Sequence, residues 1–236
     1  MKKLLIFSLF SFTFVFATSA IPADVHKGLE AYKKRDFITT MLELDFPEQG
    51  DPEAQMILGI MYRNGQGVQR NIKTALKWYK LAAEQGHAIA QSTLGGFYRN
   101  GKVVAQDYKM ALKWFTRAAK QGSATSQYAL SSMYLNGLGV QRNDSTSIKW
   151  LILAAEQEKT FPVLASTVFG TTYMEGSETL KKDFVRAHMW LNIASAHGSP
   201  SDGKRRDELE NQMTPTQIET ALKLARECKE RNYKGC

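Results

Sequence analysis

From Asp51 to Gly86 the chain reads DPEAQMILGIMYRNGQGVQRNIKTALKWYKLAAEQG, and the following 36 residues, HAIAQSTLGGFYRNGKVVAQDYKMALKWFTRAAKQG, repeat its pattern. A third copy, SATSQYALSSMYLNGLGVQRNDSTSIKWLILAAEQE, keeps the period. Leu58, Leu94 and Leu130 fall in register, as do Tyr62, Tyr98 and Tyr134, Gly65, Gly101 and Gly137, and Trp78, Trp114 and Trp150. A period of roughly 20 to 50 residues points to a solenoid, because one such unit is too small to bury its apolar face and must stack on its neighbours.

Inside each copy two helices are legible. Ala54, Leu58, Met61 and Tyr62 recur at helical spacing and make one apolar face, helix A. Asn64-Gly65 stops it, since glycine enters the left-handed conformation of a helix C-terminus without a side-chain clash. Asn71, Asp107 and Asn143 then stand where a second helix needs an acceptor for its free amides. In this helix B, Ala75, Trp78, Ala82 and Ala83 form the apolar stripe, with the indole expected to fill the gap left by small neighbours; Gly86 and Gly122 close it. The expected fold is all-α, an α-solenoid of stacked helical hairpins.

These residues resemble the Sel1-like repeat family, relatives of the tetratricopeptide repeats. The elements that match are AQ-x-x-LG-x-x-Y-x-x-G-x-GV followed by A-x-x-WY-x-x-AAEQG, from Ala54 to Gly86. Three departures stand out: Val103 at the position of Gly67, Ser147 at that of Ala75, and Glu158 at that of Gly86. The resemblance implies an interaction scaffold, in bacteria mostly periplasmic or secreted, serving envelope assembly, signalling or host contact.

Outside the three regular copies the chain divides as follows. Residues 1–20 carry Lys2 and Lys3, an apolar run from Leu4 to Ala17 and small residues up to Ala20. That is the layout of a signal peptide, with the apolar run shorter than the ~20 residues that span a bilayer. Cleavage after Ala20 would leave a chain without a further transmembrane segment. Residues 21–50 read as a degenerate capping hairpin, with Leu29, Tyr32, Phe37 and Met41 as its apolar points and Arg35-Asp36 as its turn. The regular repeats are 51–86, 87–122 and 123–158, and a divergent fourth spans 159–198, with Ala165, Phe169, Gly170, Tyr173 and Gly176 in helix A and Asp183, Ala187, Trp190 and Ala194 in helix B. The interval from Trp150 to Trp190 is 40 residues, and the extra ones are placed in the turn SETLKKD as a cheaply tolerated surface loop. Residues 199–236 are read as C-terminal capping helices, the second opened by the capping box Thr214-Pro215-Thr216-Gln217, and a disulfide tail.

Cys228 and Cys236 are the only 2 cysteines, and their even count in an exported chain reads as a disulfide. By the chain-entropy model its short loop contributes about 2.6 kcal/mol. His26, His87, His188 and His197 show no ligand-like spacing to one another or to the cysteines, so neither a metal nor any cofactor is expected. No nucleophile, base or phosphate-loop pattern is present, and the chain is read as a non-enzyme. The alternative is an enzyme-like role in cell-wall metabolism, of the penicillin-binding or β-lactamase kind. It comes from cysteine-rich relatives whose repeats each hold a C-x7-C pair, a spacing found here once, at Cys228 to Cys236.

Binding has a more definite address. Positions about two residues past the helix A core lie on its other side and differ between copies while their neighbours repeat. Met56, Ser92, Tyr128 and Thr167 form one such row, Ile60, Gly96, Ser132 and Thr171 a second, and Arg63, Arg99, Leu135 and Met174 a third. From these, Met56, Ile60, Arg63, Ser92, Arg99, Tyr128, Ser132 and Leu135 are the candidate partner-binding residues. The formal charge is +8, falling to +6 without Lys2 and Lys3, and Lys77, Lys113 and Lys149 form a ladder on helix B. The partner expected is therefore a protein, bound by a monomer, and not nucleic acid, for which no reading motif appears.

Overall fold

The computed structural model describes residues 24–44, 50–157, 162–231, 233, 235 and 236. The signal-peptide reading falls on residues 1–20 and lies outside the described residues, as does Glu158. Among the described residues there are twelve helices and no strand, with one isolated bridge between Ser177 and Leu180.

A hairpin of two short helices comes first, α1 (Val25–Lys33) and α2 (Phe37–Leu44). Four hairpins follow: α3 (Pro52–Asn64) with α4 (Ile72–Glu84), α5 (Ala88–Asn100) with α6 (Tyr108–Lys120), α7 (Ala124–Asn136) with α8 (Asp144–Ala155), and α9 (Pro162–Glu175) with α10 (Phe184–Ala196). Two further helices, α11 (Pro200–Glu210) and α12 (Pro215–Glu230), pack on α10. From α1 to α11 each helix contacts the next in the chain, and the described helices form an α-solenoid.

Local chemistry sets the boundaries. Asn71, Asp107, Asn143 and Asp183 each accept from a backbone amide of the first helical turn and start α4, α6, α8 and α10. Gly65, Gly101 and Gly137 end α3, α5 and α7 in the left-handed conformation. Where Val103 replaces glycine the backbone of the turn keeps a negative φ, while Gly67 and Gly139 are left-handed. Thr214 and Gln217 cap α12 reciprocally.

Inside each hairpin the enclosed residue is the one after the tryptophan. Tyr79 and Leu151 are fully buried, Phe115 is nearly so, and Trp78 and Trp150 are only half-buried. Trp78 packs on Leu44 of α2 and on Ala54, Ile57, Leu58 and Met61 of α3, so it fills a gap as expected but is less enclosed than Tyr79. One residue turns a helix by about 100°, which aims the indole at the junction between units and the following ring across the hairpin. Trp114 accordingly packs with Ala75, Ala82 and Ala83 of α4 and with Ala90 and Leu94 of α5.

The ring inside the hairpin fits because a glycine faces it. A Cβ on Gly59 would lie 2.6 Å from the Tyr79 ring, and one on Gly95 would lie 2.6 Å from Phe115. In the third copy this glycine is Ser131, its opposite is the smaller Leu151, and the Ser131 hydroxyl bonds Ser147 at 2.9 Å. The departure at Ser147 is thus matched by a second one across the hairpin.

The turn at 177–180 is a surface loop, exposed at Ser177, Glu178 and Thr179, and it ties the third repeat to the fourth. Thr179 Oγ1 accepts from the Asp144 backbone N–H at 2.9 Å, and Leu180 packs on the core of the fourth repeat. Asp144 is itself buried, paired with Arg142 at 2.9 Å, and this hydrogen-bonded guanidinium holds its carboxyl below the usual carboxylate range.

Candidate protein-binding face

Among successive A helices α1 approaches α3 and α5 approaches α7, and no two successive B helices of the four hairpins approach each other to the same degree. The rows identified from the sequence lie on the A helices α3, α5, α7 and α9. Ile60, Arg63, Ser92, Arg99, Tyr128, Ser132 and Leu135 are all half-buried. Gly96 has open space where a side chain would stand. Met56 does not belong with them: it is 5% exposed and packs with Ala75, Tyr79 and Leu94. Its helix is covered on more than one side, so the apolar arc is wider than a single stripe.

Arg63 and Arg99 hold equivalent positions one repeat apart. Each guanidinium lies over the aromatic ring of its own hairpin, Arg63 at 6.0 Å from the Tyr79 centroid and Arg99 at 5.6 Å from Phe115. The Nε groups donate to Asn64 and Asn100. Cation–π stacking orients a guanidinium but does not neutralise it. Farther along the chain four arginines are paired, Arg142 with Asp144, Arg186 with Asp183, Arg205 with Asp202 and Arg206 with Asp207, while Arg117 stacks on Trp114 as Arg63 and Arg99 do on their rings. Among the described residues neither Arg63 nor Arg99 has a carboxylate within ion-pair distance. In the third and fourth repeats the same row holds Leu135 and Met174, so the face runs from cationic to apolar. Lys77, Lys113 and Lys149 are exposed on the B helices.

A glutamine ladder that sequence reading did not single out crosses the stack. Gln55, Gln91 and Gln127 are buried. Gln85 donates to Gln55 Oε1, Gln121 to Gln91 Oε1 and Gln157 to Gln127 Oε1, each at 2.8 Å. Gln91 and Gln127 in turn donate to the Ala83 and Ala119 carbonyls at the end of the preceding unit. The signal was present as AQ or SQ and as EQ or KQ at fixed positions of every regular copy, with the glutamines alone identical throughout.

The remaining polar clusters are internal. His87 caps α5 by accepting from Ala90 through Nδ1, which leaves the proton on Nε2 to donate to Glu53 at 2.8 Å. Buried Asp202 of α11 accepts from Thr167 of α9 and from Ser199 just before α11, and buried His188 lies 2.8 Å from Glu210. Among the described residues no three His, Cys, Asp or Glu side chains are grouped to hold a metal ion. No helix among the described residues is long and apolar enough to cross a membrane. Cys228 and Cys236 are joined in a disulfide.

The model of the Sel1 repeat matches residues 52–87, 88–123, 124–159 and 170–199. Among solved structures, a Sel1 repeat protein from Oxalobacter formigenes is similar at 32% identity and TM-score 0.66, over 76% of this chain and 72% of its own. A protective antigen present in uropathogenic Escherichia coli strains, displaying an SLR fold, is similar at 28% identity and TM-score 0.63 over 87% of this chain. The match covers 45% of that antigen, so this chain spans about half its length. No curated protein matches the sequence.

Proposed function

The chain belongs to the Sel1 repeat family, and from that premise we propose that it is an exported, monomeric adaptor that binds an acidic segment of a protein partner along its A helices. Repeats of this family are typically non-catalytic protein-interaction scaffolds. The observation that carries the finer reading is the pair Arg63 and Arg99, half-buried, held over aromatic rings and without carboxylate partners among the described residues. A guanidinium offers carboxylates a planar fork, and two of them one repeat apart grip two acids of one chain. Ile60, Ser92, Ser132, Tyr128 and Leu135 then contact the rest of the segment, its apolar side chains falling toward the third and fourth repeats. Export is supported by the N-terminal residues 1–20 and is compatible with the disulfide. It places the partner in the envelope or beyond it.

Fluorescence anisotropy with a labelled glutamate-rich decapeptide tests the binding reading. Arg63→Ala with Arg99→Ala is expected to weaken binding at least tenfold at low salt, with melting nearly unchanged and the difference shrinking as salt rises. Lys77→Ala with Lys113→Ala and Lys149→Ala should change it little. Equal affinities for the parent and the arginine variant at low salt would refute the clamp. Mass analysis of exported protein should give Ile21 as the first residue; Met1 retained would reject the export reading.

A further inference from the structure

The glutamine ladder stops at the fourth repeat, and the chain's own C-terminus stands in the place it leaves. In the register of Gln55, Gln91 and Gln127 the fourth repeat has Ser166, and in that of Gln85, Gln121 and Gln157 it has His197. Ser166 is fully buried and its Oγ has no partner. His197 turns away from it: Nδ1 donates to the Ile193 carbonyl, so Nε2 accepts from the Tyr233 hydroxyl at 2.8 Å. The two rings also meet edge to face, with centroids 5.5 Å apart.

Tyr233 and Cys236 close a slot lined by Ile152, Ala155, Phe169 and Trp190 and floored by Ser166. They leave a void of only about 10 Å³, the space of a single water. The Gly235 N–H reaches back to Glu156 Oε1 of the third repeat at 3.1 Å. Tyr233 adopts φ 66°, a left-handed conformation that a non-glycine residue takes at a cost. The disulfide holds this turn shut, since it joins the buried end of α12 at Cys228 to Cys236 across a sequence separation of only 8. The bond itself spans no two repeats. What it fixes across them is the seating of the tail.

The geometry points to a redox-gated plug: the disulfide-closed tail is an intramolecular occupant of an apolar, tyrosine-accepting slot between the third and fourth repeats, and reduction of Cys228–Cys236 opens it. The co-reactant is a dithiol. Its thiolate attacks the more exposed Sγ, that of Cys236, breaking the S–S bond and forming a mixed disulfide while Cys228 leaves as a thiolate. The second thiol of the reductant resolves the mixed disulfide. The protein gains two electrons and two protons as two thiols, and the reductant departs as its own disulfide. The freed tail relaxes from the strained turn, Tyr233 withdraws, and the slot presents an apolar wall with one unpaired hydroxyl, Ser166.

Hydrogen exchange and anilinonaphthalenesulfonate fluorescence on the full chain test this. In the oxidised protein the tail is expected to be protected and the dye dark. Dithiothreitol, or Cys236→Ser, should lower protection of the tail amides by up to about 80-fold, the loop-closure factor, and switch on dye binding. Protection in α3–α8 should not change. Tyr233→Ala keeps the disulfide but removes the plug's ring, so it should bind the dye without reductant. A disulfide that is only a brace predicts a lowered melting temperature and no dye binding in either variant, and that result overturns the gate. Loss of protection in α3–α8 together with dye binding would overturn it equally, as unfolding.

Discussion

Tyr79 and Phe115 occupy the same place in successive hairpins, and the comparison isolates one hydroxyl. The Tyr79 ring is fully buried and its Oη has no hydrogen-bond partner, while Phe115 packs against Gly95 as Tyr79 does against Gly59. An unpartnered buried hydroxyl costs about 1 to 3 kcal/mol. Tyr79→Phe should therefore stabilise the protein by about 1 kcal/mol, with the Arg63 stack retained as Arg99 retains its own over Phe115. Burial also pushes the Tyr79 phenol up to about 12, against the smaller opposing effect of Arg63. Below pH ~10 the phenol is protonated in both folded and unfolded chains and pH has no leverage through it. Between about 10 and 12 the unfolded chain ionises first, so proton loss favours unfolding. Denaturant unfolding at pH 7 and pH 10.5 should show the advantage of Tyr79→Phe widening at the higher pH. A variant less stable than the parent at pH 7, or an advantage that does not grow, would mean that the hydroxyl has a partner in solution.

Two neighbouring glycines of α5 separate packing from propensity at the scale of the helix pair. Gly95 faces α6, and a Cβ there would lie 2.6 Å from the enclosed Phe115 ring; Gly96 has nothing within 4 Å. Alanine gains about 1 kcal/mol over glycine in a helix interior, while overpacking a tight contact costs typically 1 to 3. Gly96→Ala should raise the melting temperature and Gly95→Ala lower it, by roughly 1 kcal/mol in each direction. Equal shifts would show that α5 and α6 part freely. The hairpins themselves were legible in the sequence, since caps such as Asn71 and stops such as Gly65 act within a few residues. Which of Trp78 and Tyr79 is enclosed was not, because adjacent apolar residues read alike until the partner helix is placed. The glutamines were missed for a related reason: Gln91 meets Gln121 through space, 30 residues away, and polarity alone reads as surface. Of the candidate face, Arg63 and Arg99 are half-buried on α3 and α5. Met56 of α3 is instead buried, because a stripe argument allows a helix one covered side and α3 has several.

In a solenoid each unit contacts only its neighbours, so stability is a sum of unit and junction terms and the weakest junction decides where the stack divides. The junctions here are unequal. The first three repeats share the glutamine ladder, with Gln91 and Gln127 each bonded to the end of the preceding unit. Between the third and fourth that link is absent at Ser166, and α8 meets α9 less extensively than α4 meets α5 or α6 meets α7. What joins them instead is an apolar cluster, Ile148 and Leu151 with Ala165, Phe169 and Trp190, and two peripheral bonds, Thr179 to Asp144 at the turn and Gly235 to Glu156 in the tail. The C-terminal part has its own internal ties, Thr167 to Asp202 between α9 and α11, His188 to Glu210 between α10 and α11, and α12 closed by the disulfide. Native-state hydrogen exchange should therefore resolve two cooperative units, α3–α8 and α9–α12, with different opening free energies. Gln91→Ala removes a bonded side chain from inside the first unit and should lower its opening free energy by about 2 kcal/mol, leaving the second within error. Reduction of Cys228–Cys236 should do the converse. If every slow amide from α3 to α12 instead reports one common free energy, and Gln91→Ala shifts them all together, the junction at Ser166 is as strong as the ladder and the stack opens as a single body.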